Sequence, residues 1–348
     1  MGIVYATRED VMRAADSKET ARNAAQIDRG LEAASRNIDA LCHRTFYPHV
    51  ATKSFDWPNS QGAAPWRLWL DANELISVSA VSSGGSTISL ADVLLEPNAY
   101  GPPYNRLELD LSSSAAFGGG DTHQRDITIT GLYGYRDDEQ LVGDLDGSIT
   151  SSATTLDVTA APLIGVGSLL RIGTERLTVT AKAMRSTFVT TTAALIAKAS
   201  DDVLTGVSAG FAVGETILVD GERMLIVDQS PTSLIVKRGW DGSTLAEHSL
   251  GATIYAPRTL AVTRGALGTT AASHTNGDDV FQWEPPGPVR TLAIAEVLNT
   301  LGLEQASYSV ALRAGEAGSE RTRDVRGLAA LRAAVYDGFG RKARLRGI

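Results

Sequence analysis

Cysteine is almost missing from this 348-residue chain, in which Cys42 stands alone. A single thiol excludes an internal disulfide framework and fits a reducing compartment or a fold indifferent to redox state. Histidine is scarce as well, with five residues, and no Cys/His or Asp/Glu-His group has the spacing of a metal site. No apolar run is long enough to span a membrane, and the first residues lack the charged-then-apolar pattern of a signal peptide. GxSxG, HExxH and paired-carboxylate signatures are missing. Gly118-Gly119-Gly120 lacks the strand–loop–helix setting of a phosphate loop. An enzyme is therefore the weakest class, and no cofactor, catalytic group or metal is expected. The net charge of -8 argues against general nucleic-acid binding by the whole chain.

What is present has an ordinary globular balance, 43% hydrophobic and 21% charged, with length enough for two or more domains. Glu19 to Pro48 reads as one long amphipathic helix. Ile27, Leu31, Ala34, Ile38 and Leu41 form its apolar stripe; Arg22, Asp28, Arg29, Glu32, Arg36 and Asp39 form the polar face. Pro48 stops it. Before it, Thr7 can cap a short helix over Arg8 to Ala15, with Asp10 three residues on. Short alternating runs then predict strands at 52–57, 66–70, 75–81, 87–90, 107–111 and 127–133, with a hairpin turn at Gly84-Gly85. Ser112 to Asp121 reads as a flexible loop and Arg136 to Gly147 as an acidic linker. A Thr, Val, Leu and Gly-rich stretch continues to Trp283. After Pro285, Pro286 and Pro288, helices return at Val289 to Leu301 and Asp324 to Phe339. The fold class expected is α+β: a helical core with a small β element, interrupted by an inserted all-β region. The expected bounds are 1–140 and 285–348 for the core and 141–284 for the insertion.

The insertion repeats itself. VGSLLRIGTERLTV (166–179) aligns with VGETILVDGERMLI (213–226), and SLIVKRGWDGSTLAEHSLGATI (233–254) aligns with TLAVTRGALGTTAASHTNGDDV (259–280). Two repeat-related β modules follow, with hairpin turns at Gly173-Thr174 and Asp220-Gly221. His248 and His274 occupy the same place in their copies, which favours a structural turn contact over a metal pair. Cys42 and His43 are neighbours on a helix, about 100° apart, so they cannot act as a nucleophile and its base. Trp57, Trp66, Trp69, Trp240 and Trp283 alternate with apolar residues and read as packing rather than as a sugar-stacking surface. From Glu320 onward eight Arg or Lys face three acids, so this segment carries a net +5 on a body of -13. Such a tail suggests its own partner.

The two ends carry a further signal: TREDVMRAAD, then NIDALCHRTFYP, WRLWLDANELISVSAV, EPNAYGPPYNRLEL and ITITGLYGY, and finally PVRTLAIAEVLNTLG and DVRGLAALRAAVYDGFGRKARLRGI. In these patterns the chain resembles the head-to-tail adaptor (connector) proteins of tailed bacteriophages, over about residues 1–135 and 285–348. The β insertion departs from compact members of that family. The resemblance implies a helical adaptor core and a virion protein of the neck, made in the host cytoplasm. It would form a homo-oligomeric ring, commonly a dodecamer, between the portal protein and tail-side neck or stopper proteins. Double-stranded DNA would pass through without sequence-specific binding, and no membrane is involved. Portal docking would fall to Val325, Leu328, Leu331, Val335, Phe339, Arg341, Lys342, Arg344 and Arg346. Contacts between subunits would fall to Arg22, Asp28, Arg29, Glu32, Arg36 and Asp39. The alternative is a virion decoration or receptor- and glycan-binding protein acting through the β insertion, with a carbohydrate-active enzyme a distant third.

Overall fold

The structure, a computed structural model, describes residues 2–15, 21–57, 64–206, 210–305, 311–312, 321–322 and 325–342. Two helices open the chain, α1 (Arg8–Ala15) and α2 (Ala21–Cys42). Seven strands follow: β1 (His49–Phe55), β2 (Arg67–Trp69), β3 (Leu75–Ser83), β4 (Ser86–Ile88), β5 (Val93–Glu96), β6 (Arg106–Leu109) and β7 (Ile127–Tyr133). The next group is β8 (Glu139–Asp144), β9 (Thr155–Asp157), β10 (Leu169–Ile172), β11 (Glu175–Thr190) and β12 (Ser200–Leu204). It continues with β13 (Thr216–Val219), β14 (Glu222–Ser230), β15 (Ser233–Lys237), β16 (Thr253–Thr263) and β17 (Asp279–Trp283). Helix α3 (Gly287–Gln305), a short antiparallel pair β18 (Ala311–Leu312) and β19 (Arg321–Thr322), and helix α4 (Val325–Phe339) complete the set.

The expected α+β class with a helical adaptor core is corrected by these elements. The chain is mostly β, with three main antiparallel sheets and only four α-helices among the described residues. The sheets have the orders β1-β7-β3-β4, β2-β6-β5 and β12-β15-β14-β13-β16-β11-β10-β17-β8, with β9 beside β16 in the last. One reason for the misreading lies in Arg136 to Gly147. Its acidic, aperiodic residues read as a linker, yet β8 pairs with β17 from Trp283↔Glu139 to Asp279↔Asp144. An edge strand needs only one ladder of backbone bonds, so its side chains can stay polar.

Contacts divide the chain into two compact units: residues 1–36, 139–266 and 270–331, and residues 37–138, 267–269 and 332–348. In the first unit Thr7 caps α1 reciprocally: its hydroxyl accepts from the Asp10 N–H (3.2 Å) while Asp10 accepts from the Thr7 N–H (2.9 Å). Asp10 also binds Arg290 of α3 at 3.0 Å, and the Arg8 Nε donates to Asp28 of α2 at 2.9 Å. Gly30 lets α2 approach α3 closely, because a Cβ there would stand 3.1 Å from Val297 Cγ1. Ile27, Leu31 and Ala34 bury the stripe that the periodicity marked.

The large sheet contains a nested duplication. The order β12-β15-β14-β13-β16 repeats as β9-β16-β11-β10-β17. The inner copy begins after β11 and ends in the first half of β16. That strand then turns from the last strand of the inner copy into the second strand of the outer one. The copies are thus one inside the other and share a strand, rather than lying in tandem. Each has its own apolar core: Leu156, Val158, Leu170, Leu177, Leu260 and neighbours in the outer copy. Val203, Ile217, Met224, Leu234, Ile254 and neighbours fill the inner one. The expected turns form, with Ile172↔Glu175 and Val219↔Glu222 closing the hairpins.

In the second unit the alternation of β7 aims Ile127, Ile129 and Tyr133 inward, where Leu68, Leu75, Leu107 and Phe117 join them. Ser83 and Ser86 close the Gly84-Gly85 hairpin. Residues 112–121, expected to be a flexible loop, are held by Phe117 in that core, by Ser112 N–H on Asp110 at 2.8 Å and by Gly118 N–H, which donates to the Ser83 hydroxyl at 2.9 Å.

Candidate functional site

Both repeat histidines are bound to a buried glutamate. In the outer copy Arg264 grips Glu175 with Nε and Nη2, each at 2.7 Å. His274 Nε2 lies 2.8 Å from the same carboxylate, and the N–H groups of Gly265 and Ala272 donate at 3.0 Å. The inner copy repeats the set: Arg238 on Glu222 at 2.7 Å twice, His248 Nε2 at 3.0 Å, Gly239 N–H at 2.8 Å and Ala246 N–H at 3.0 Å. Glu175 and Glu222 are essentially inaccessible. Burial alone would raise their carboxyls; the arginines, histidines and backbone N–H groups outweigh it and hold each near a pKa of about 2. These nodes tie the hairpin of each copy to its Arg-Gly…His segment. Their chemistry is cross-linking, since each carboxylate is already engaged by an arginine, a histidine and two backbone N–H groups.

A different arrangement lies in the second unit. A cleft of about 490 Å³ is lined by Tyr47, His49, Lys53, Asn73, Glu74 and Tyr133, with Leu267 and Gly268 on another side. Strand β1 supplies its basic groups because His49, Ala51, Lys53 and Phe55 share one face. Ala51 and Phe55 pack on the apolar core, so the lysine and histidine occupy inward positions of the same strand. The Lys53 ammonium lies 4.3 Å from the Tyr133 ring centroid and donates to Asn73 Oδ1 at 2.9 Å. Burial pushes its pKa down. His49 stacks on Tyr133 with ring centroids 5.9 Å apart, and its Nδ1 is buried with no hydrogen-bond partner among the described residues. Burial, and then the Lys53 charge, lower the His49 pKa against a backbone bond at Tyr47. Glu74 is raised by burial and opposed by Arg44, whose Nη2 reaches Oε1 at 3.0 Å. Gly268, at a φ of +81°, closes the cleft: a Cβ there would meet the Val50 carbonyl at 2.1 Å.

The residues singled out for docking fall as follows. Val335 is buried, and Phe339 sets its ring edge-on to Phe46 (6.3 Å) and Tyr135 (6.0 Å). Arg341 N–H donates to the Cys42 carbonyl at 2.8 Å, and its guanidinium to the Asp71 carbonyl. Lys342 sits 4.0 Å from the Tyr336 ring centroid. Leu328 and Leu331 are half-buried. Arg344 and Arg346 lie outside the described residues, as do the side chains of Arg22 and Val325. On the polar face of α2, Asp28 is held by Arg8, Arg29 reaches Glu304 at 2.7 Å, and Arg36 donates to the Ile3 carbonyl at 3.0 Å. Glu32 is exposed and Asp39 half-buried. Cys42 is buried and its thiol pushed up by burial, while His43 is exposed. Trp283 is buried beside Tyr5, Trp57 and Trp66 pack on the core of the second unit, and Arg106 and Lys237 cover Trp69 and Trp240.

Sequence reasoning singled out the histidines but missed their glutamate and arginine partners, although both pairs stood in the aligned repeats. It missed the cleft altogether. The available signal was a lysine at an inward position of an alternating strand. Among the described residues no helix is long and apolar enough to cross a membrane. No family model, curated protein or solved structure matches the chain.

Proposed function

We propose that the chain is a structural virion protein that forms the ring-shaped head-to-tail adaptor, docking on the portal and joining the capsid to the tail around the DNA channel. The observation that carries this reading is the seat of the C-terminal helix. Phe339 wedged between Phe46 and Tyr135, with Arg341 bonded to Cys42, gives the basic terminal segment a fixed point of departure beside the end of α2. A positive segment leaving an acidic body from a fixed base suits a docking peg that meets acidic groups on a partner. The role does not require a helical core, because a ring wall can be built from sheet as well as from helix. The partners are then the portal, tail-side neck or stopper proteins, further copies of this chain, and DNA passing without sequence-specific contact.

Deletion of residues 343–348 tests the peg while leaving α4 and its aromatic seat in place. Binding to purified portal assemblies should fall at least tenfold, with the circular dichroism spectrum unchanged. Undiminished binding would remove the basis of the proposal. Glycan binding by the intact chain would instead favour a decoration or receptor-binding role.

A further inference from the structure

The geometry points to a binding site for a carboxylate in the cleft formed by His49, Lys53, Asn73, Tyr133 and Leu267. Lys53 is the centre of the argument. It stands between Ala51 and Phe55 on the core-facing side of β1, where an apolar residue would ordinarily be found. Among the described residues no carboxylate lies within ion-pair distance of it. Its contacts are an amide oxygen and an aromatic face. A half-buried ammonium without a counter-ion is costly, and an anion entering the cleft would remove that cost.

The neighbouring groups define the class of anion. Glu74, the one acid lining the cleft, is matched by Arg44, so Lys53 supplies an uncompensated single charge. One cation favours a singly charged carboxylate over a phosphate dianion. The buried Nδ1 of His49 is a second polar atom still free to bond. Tyr133 cannot compete through its hydroxyl, which donates to the Ile129 carbonyl at 3.0 Å, and so presents its ring. Val50 and Leu267 make part of the wall apolar. The volume of about 490 Å³ exceeds a carboxylate alone and falls in the range of small-ligand sites. The ligand is therefore a carboxylate on a short carbon chain, either a free organic acid or an acidic side chain of a peptide.

Titration calorimetry and NMR on the intact chain would use acetate, butyrate, an N-acetyl-glutamate amide and inorganic phosphate. Saturable binding of a carboxylate, more than phosphate, is expected. Lys53→Met should weaken it at least tenfold while leaving the unliganded melting temperature equal or higher. His49→Asn, which retains a polar group, is a second variant should the first misfold, and a several-fold loss is expected. Preference for butyrate over the glutamate amide assigns a free acid; the reverse assigns an acidic side chain. No saturable binding by any carboxylate, tighter binding of phosphate, or equal affinity in Lys53→Met would overturn the assignment.

Discussion

Glu222 and Arg238 show how a polar residue can be structural without being at the surface. Both side chains are fully enclosed, and their pairing is two-pronged, with Nε and Nη2 of the arginine each 2.7 Å from a carboxylate oxygen. Removing one partner strands a buried charge, so Glu222→Ala should destabilise the fold by about 3–5 kcal/mol. Chemical denaturation would measure this. Replacing both residues by methionine should recover only part of the loss, because His248 and the N–H groups of Gly239 and Ala246 would still lack their acceptor. Acid sensitivity follows from the same nodes. Glu175 and Glu222 are held near a pKa of about 2, below their ordinary 4.5, so the unfolded chain binds more protons between those values. Their contribution is complete above about pH 4.5 and fades as the pH falls toward 2. Unfolding free energies measured from pH 6 to 2 should decline across that window, and less steeply in Glu175→Gln and Glu222→Gln. At this scale the sequence was half legible: repetition marked the histidines, but pairing across about 90 residues, as in Glu175 with Arg264, has no local signature.

Elements were more legible where one period ruled. The α2 stripe, the Thr7 cap and the Gly-Gly hairpin all follow from local spacing and turn chemistry. Strand β8 was hidden because, at the edge of the sheet, it buries only Val142 in the core and keeps acidic residues at both ends. The nested order was hidden because alignment shows which segments are alike and not which pair. At the end of α4, Phe339→Ala should remove the aromatic seat at a cost of about 1–3 kcal/mol. Hydrogen exchange should then quicken in the last turn of α4 and at Arg341 N–H, while exchange in β10 and β11 stays unchanged. Uniform protection across α4 would show that the seat contributes little.

For the whole molecule, two features matter together: a mostly β scaffold fastened by duplicated ion nodes, and a basic terminal segment leaving a fixed base on an acidic body. The helical core expected from the terminal motifs is replaced by sheet, because the described residues between 49 and 283 form seventeen strands and no α-helix. A resemblance carried by short apolar patterns in helices and strands could not reveal the proportion of sheet. It still supplies the proposed role, and location in the particle tests that role most directly. Antibody labelling of purified virus particles containing the chain, viewed by electron microscopy, should mark a ring of copies between capsid and tail. Label spread over the capsid surface or gathered at the tail tip would contradict the adaptor reading.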